Sequence, residues 1–168
     1  QRLDRIWAHN NPGEFHTEAM TDEDRRLVCA AYLAMVSLID YQVGRILTVL
    51  EETGQAENTL VVFMSDHGEM LGDHGIYFKG PHFYDCQLRV PLIMRWPGGG
   101  IVPNRRIEGL VELVDLAPTF LDAAKLEIPE RIQGKSMLPM LRGGEERESC
   151  REQVYAEYYN AWTHGDAY

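Results

Sequence analysis

A chain of 168 residues that is 45% hydrophobic and 10% aromatic holds enough apolar material for one globular core, which excludes disorder over most of its length. Its formal charge is −10, and no basic run is longer than Arg105-Arg106, which excludes nucleic acid and anionic lipid as ligands held by bulk charge. An anionic substrate would have to be drawn in by a bound cation and a few placed basic side chains.

The three cysteines, Cys29, Cys86 and Cys150, are far apart and form no C-x-x-C pair, which argues against a zinc cluster or a disulfide scaffold. Their odd number leaves at least one free thiol, and Cys29, inside an apolar helical pattern, reads as core packing. The chain opens at Gln1 without a basic stretch followed by an apolar one, so neither a signal peptide nor a membrane span is visible. It stops at Asp166-Ala167-Tyr168, and it reads as a fragment cut at both ends.

In chain order, residues 1–20 mix charges with the turn signal Asn10-Asn11-Pro12-Gly13 and read as loop or linker. Thr21 followed by Asp24 marks a helix start, and Val28, Tyr32, Met35, Ile39, Val43, Ile46 and Leu50 recur at steps of three and four. They predict a long amphipathic helix, ended by Gly54, in which Asp40 satisfies a buried partner. The apolar run 59–64 predicts a buried strand, and 90–96, with Pro91 near its start, a strand close to a sheet edge. Residues 107–113 predict a third strand, Asp115 caps a helix to about Ala124, Ser136 caps a short one to about Leu141, and 153–159 predict a last strand. Helix into buried strand is α/β grammar. No linker between Asp22 and Gly143 is long enough to separate two cores, so 21–143 form one unit and 144–168 open a further portion.

Chemistry concentrates directly after the strand at 59–64. In an open α/β sheet ligands gather beyond the carboxyl ends of strands, and Ser65-Asp66-His67-Gly68 stands there. Once Gly68 lets the backbone turn, the Asp66 carboxylate and the His67 imidazole can reach one ion, and such oxygen and nitrogen donors suit calcium, magnesium, manganese or zinc. A second Asp-His-Gly, Asp73-His74-Gly75, follows seven residues later, and Lys79 stands twelve residues after His67. Acids, histidines and one lysine in a glycine-rich loop are what a phosphate or sulfate ester site requires. The cation neutralises ester oxygens, and Lys79 binds the transferred group or stabilises the leaving oxygen. Tyr77, His74 and His82 are candidates to line the pocket. His82 is the candidate substrate contact, whereas His74 reads first as structural.

The segment Ser65-Asp66-His67-Gly68-Glu69-Met70-Leu71-Gly72-Asp73-His74-Gly75, Lys79, and Arg89-Val90-Pro91-Leu92-Ile93 resemble the sulfatase family of the alkaline-phosphatase-like superfamily. The helix segment 32–40 and Gly134-Lys135-Ser136 with Leu138 fit the same pattern, so the resemblance spans about residues 22–142. It implies a partial α/β three-layer sandwich with a mixed, mainly parallel sheet flanked by helices. It implies metal-dependent hydrolysis of sulfate esters, aryl or carbohydrate, with a preference here for sulfated carbohydrate. By resemblance Asp66 and His67 are half of a calcium site and Lys79 contacts the sulfate. The family nucleophile is a formylglycine made from cysteine or serine in C/S-x-P/A-S-R, and none of Cys29, Cys86 and Cys150 stands in such a motif. The nucleophile and the remaining ligands are therefore expected upstream, and this chain alone is expected to bind metal weakly and turn over no substrate. The alternatives are a phosphoester or phosphonate-monoester hydrolase of the same superfamily and a non-catalytic metal-binding module. Tyr158, Tyr159, Trp162 and His164 are candidates for a stacking wall against a ring, and the alternative for Tyr158 and Tyr159 is alternating strand residues packed in a core.

Overall fold

The computed structural model describes residues 17–143 and 151–158. The lead-in through residue 16, Cys150, Tyr159, Trp162 and His164 lie outside the described residues.

Helix α1 (Asp22–Glu52) runs for 31 residues from the predicted start. The Thr21 hydroxyl oxygen accepts from the Asp24 amide at 3.2 Å, and the Asp24 carboxylate accepts the Thr21 amide at 2.8 Å, so each residue satisfies a backbone donor of the other. The Thr21 hydroxyl and amide donating to it hold the Asp24 carboxyl below its usual range. At the far end the Gly54 and Gln55 amides donate to the Glu51 and Leu50 carbonyls, a closure that needs the left-handed φ of 68° at Gly54.

No side chain of α1 is buried. Leu33, Leu38, Ile39 and Ile46 are all more than half exposed, and Asp40, expected to meet a buried partner, is exposed with them. Cys29, expected in the core, is half-buried. By length and composition α1 would also suffice to cross a membrane, although the sequence pattern shows no span there.

Strand β1 (Val61–Met64) pairs antiparallel with β2 (Leu92–Arg95), Phe63 opposite Ile93. This pair is the one sheet among the described residues, and it is antiparallel where a mainly parallel sheet was expected. Mixed sheets accommodate such pairs. The predicted buried strand is buried only in part, since Phe63 and Ile93, neighbours on one face, are 37% and 62% exposed.

Between the strands the chain folds into a compact loop and a single helical turn, α2 (Asp85–Leu88). The Met70 amide donates to the Phe78 carbonyl at 3.1 Å and the Gly72 amide to that of Ile76 at 2.8 Å, which closes a hairpin-like loop around a 3-10 turn at Asp73–Gly75. Met70, Ile76 and Tyr77 are buried inside it. The loop is tied to α2 at Gly68, whose amide donates to the Gln87 carbonyl at 2.8 Å. A Cβ at position 68 would stand 1.8 Å from the Cys86 carbonyl oxygen, so only glycine permits this approach.

A second body packs α3 (Leu116–Ala123) against α4 (Leu138–Leu141), with Pro118, Thr119, Met137, Leu138 and Met140 buried. The predicted strand at 107–113 is reduced to one bridge, Leu110 with Arg151, and residues 153–158 form no strand. The reason is a side-chain hub that takes over the backbone donors. Asp115, expected to cap α3, is fully buried and instead accepts the Glu112 and Lys135 amides, each at 2.8 Å. The Arg151 guanidinium pairs with both Asp115 and Glu112, and the Tyr155 amide donates to Glu112. Burial pushes the Asp115 carboxyl upward, while the Lys135 amide and ammonium oppose that. Ser136 stands two residues ahead of α4, accepts the Leu138 amide at 3.3 Å, and donates to Asp122.

Two substitutions test these ties. Gly68→Ala forces its new methyl into the Cys86 carbonyl and should lower stability by about 2–3 kcal/mol, read as a reduced urea midpoint at constant m-value. Asp115→Ala strands two amides and leaves the buried guanidinium with Glu112 as its remaining carboxylate, and it should cost about 3–5 kcal/mol, with hydrogen-exchange protection lost first in residues 151–158.

Candidate metal and anion site

Strand β1 ends at Met64, and the two residues that matter follow within one turn. The Ser65 hydroxyl donates to the His67 carbonyl at 2.7 Å and the His67 amide donates to Asp66 Oδ1 at 3.0 Å, so the turn is held by its own side chains. The Asp66 side chain is 83% exposed and that of His67 37%, which leaves both open to a ligand from solvent. His67 Nε2 lies 3.7 Å from Asp66 Oδ2. On its other side His67 Nδ1 lies 2.8 Å from the Gly68 carbonyl oxygen. A carbonyl can only accept, so this short contact is a hydrogen bond when Nδ1 carries the ring proton.

This donor set fits a divalent cation. Two ligands bound at about 2.0–2.6 Å and roughly right angles stand about 3–3.7 Å apart, close to the Asp66–His67 separation. A histidine whose second nitrogen donates to a backbone carbonyl is the usual form of a metal-binding imidazole. Among the described residues no third His, Cys, Asp or Glu joins these two.

Gln87 completes the turn from α2. Its carbonyl takes the Gly68 amide at 2.8 Å, and its side-chain Nε2 lies 3.4 Å from the Gly68 carbonyl oxygen. The residue is buried, and its Oε1 has no partner among the described residues. No sequence pattern singles out Gln87, because its role depends on a backbone contact across 19 residues.

Lys79 follows Phe78, the residue whose carbonyl closes the loop on Met70, and its side chain is exposed. No carboxylate among the described residues forms an ion pair with it. His82 is buried, its ring 6.4 Å from that of Tyr84 and tilted by 30°. His74, in a left-handed conformation at φ 54°, stacks on Tyr84 with ring centroids 3.8 Å apart. Tyr77 is buried and Tyr158 exposed. The loop thus gathers Asp66, His67 and Gly68 against α2, and His74 against Tyr84. Tyr84 carried no sequence signal beyond its place before the acidic start of α2.

Cys86 is a poor nucleophile in this setting. Burial first, and then the neighbouring Asp73 carboxylate, push its thiol above the usual value, so it stays protonated at neutral pH, with its sulfur 3.5 Å from that of Met70.

Comparison with known proteins places this arrangement. Residues 8–126 match the family model Sulfatase. The chain is 41% identical over 153 residues to an N-acetylglucosamine-6-O-sulfatase of Bacteroides thetaiotaomicron, covering 90% of this chain and 27% of that protein. Among solved structures, a protein in complex with its substrate D-glucosamine-2-N,6-O-disulfate superposes with a TM-score of 0.70 at 36% identity, covering 85% of this chain and 28% of that one. The phosphonate monoester hydrolase of Silicibacter pomeroyi superposes at 0.69 and 38% identity, covering 77% and 25%. The chain therefore spans about a quarter of the length of the relatives it matches, and its mixed α/β architecture is that of alkaline-phosphatase-like sulfatases. On the family match over residues 8–126, this chain belongs to the sulfatase family.

Proposed function

We propose that residues 21–143 supply half of the metal site and the anion-binding lysine of a sulfuric ester hydrolase, acting on sulfated carbohydrate. The observation that carries the reading is the 3.7 Å approach of Asp66 Oδ2 to His67 Nε2, with His67 Nδ1 turned to the Gly68 carbonyl oxygen at 2.8 Å. Asp66 and His67 would hold a divalent ion, most simply calcium, which neutralises the ester oxygens when bound. The net reaction adds water across the ester, giving the alcohol and inorganic sulfate.

The chain's own residues prepare that step. Asp66 contributes an exposed carboxylate oxygen donor. His67 contributes an imidazole nitrogen donor aimed by the contact of its other nitrogen with the Gly68 carbonyl. Lys79 brings a fixed positive charge that no described carboxylate offsets, suited to the sulfate oxygens or to the leaving oxygen as charge grows on it. His82 is retained as a substrate contact of the same pocket. Neither described cysteine stands in a formylglycine motif, and Cys86 is held as a thiol, so the nucleophile is not assigned to them.

Carbohydrate sulfate is the substrate class favoured by the named activity of the Bacteroides relative and by the glucosamine disulfate bound in the solved neighbour. A second reading, phosphonate monoester hydrolysis, is favoured by the Silicibacter structure. Sulfate and phosphonate monoesters of the same alcohol, compared by kcat/KM in a full-length protein carrying this chain, decide between them.

In that protein Asp66→Ala should remove calcium-dependent sulfate release and weaken calcium binding in calorimetry; activity at the wild-type level would take Asp66 out of the site. Lys79→Ala should lower kcat/KM by about 10²-fold, equivalent to about 2.7 kcal/mol of transition-state stabilisation. An unchanged kcat/KM would return Lys79 to the ordinary surface.

A further inference from the structure

Gln87 grips one residue at both of its polar groups. Its backbone carbonyl takes the Gly68 N–H at 2.8 Å, and its side-chain Nε2 faces the Gly68 C=O at 3.4 Å. The same Gly68 oxygen is the acceptor of His67 Nδ1 at 2.8 Å. The two peptide planes that flank Gly68 are thus both held from α2, and the one that orients the imidazole is held by a side chain.

The amide's orientation is not arbitrary. The Gly68 oxygen can only accept, so the NH₂ end of Gln87 must face it, and the Oε1 end has no partner among the described residues. A buried amide with one end unsatisfied costs free energy. The bond to Gly68 is the one polar contact of that side chain in the described structure, and it explains why an amide rather than an apolar group fills this buried position. A carbonyl has two lone pairs, and His67 and Gln87 use one each.

We propose that Gln87 is a positioning residue for His67: by bracing the Gly68 carbonyl it keeps the imidazole in the Nδ1–H form with Nε2 turned toward Asp66. The consequence for cation binding rests on the metal-site reading above, whereas the consequence for the imidazole does not. Partners one step behind a metal-binding histidine are worth about 10–100-fold in metal affinity.

The test uses Gln87→Met, which keeps length and burial but removes the donor, and Gln87→Glu, which keeps the shape and replaces the donor with an acceptor. The first readout is the nitrogen NMR signature of His67 in the metal-free chain. Wild type should show the Nδ1–H form, and both variants a mixture with the Nε2–H form while the circular dichroism of the fold is retained. The second readout is titration with Mn²⁺ alone, followed by broadening of the Asp66 and His67 signals, where about a tenfold loss of affinity is expected in each variant. A His67 ring that is not Nδ1–H in wild type, or that stays Nδ1–H in whichever variant folds, overturns the assignment. A wild-type chain in which Mn²⁺ leaves Asp66 and His67 unbroadened overturns the metal reading instead, and the tautomer measurement still decides the role of Gln87.

Discussion

The approach of Gly68 to the backbone of Cys86 and Gln87 is the contact on which the site depends. The Asp66-His67 pair leaves β1 on a short turn whose own hydrogen bonds reach no further than Ser65 to His67. Joining residue 68 to α2 gives the turn a second anchor 19 residues away. The absence of a Cβ at position 68 is the steric condition for that join, since any side chain there would meet the Cys86 carbonyl. The loop between the two anchors then closes on itself through Met70 with Phe78 and Gly72 with Ile76, and its buried Met70, Ile76 and Tyr77 supply the apolar contacts that keep it compact.

The second body is held differently. Where the first uses a close backbone approach, the described residues 110–143 and 151–158 are gathered by charge. A fully buried Asp115 collects two amides and a guanidinium, and Glu112 shares the guanidinium and takes the Tyr155 amide. Complete burial of a carboxylate is tolerable because nearly every lone pair is used, and the arrangement is intolerant of losing one member. The Glu112 amide goes to Asp115 and the Tyr155 amide to Glu112 rather than to a ladder, and one bridge stands where a strand was expected.

Among the apolar surfaces that stay open in the described residues are much of α1 and the face of the sheet that carries Phe63 and Ile93. An isolated 31-residue helix with exposed Leu, Ile and Val gains little from propensity alone and takes most of its stability from burying such a face. The relatives are nearly four times as long as the matched portion, and proteins of that size bury a larger fraction of their apolar surface.

What the sequence alone determined is local. The Thr21–Asp24 cap, the period of α1, the stop at Gly54 and the apolar runs of β1 and β2 depend on neighbours within a few residues, and each stands where the pattern put it, to within two or three residues. The order of Asp66, His67 and Lys79 around glycines was legible for the same reason, and with Arg89-Val90-Pro91 it led to the family that the comparisons then established. The long-range arrangement was decided only by the tertiary structure. The antiparallel pairing of β1 with β2, the exposure of Asp40, the diversion of Asp115 from capping to a buried hub, and the selection of Gln87 each depend on a contact between residues distant in the chain. Hydrophobic period and turn chemistry report which way a side chain faces on its own element. They carry no information about which distant backbone group will be waiting there, and at Gly68 that group is what aims the histidine.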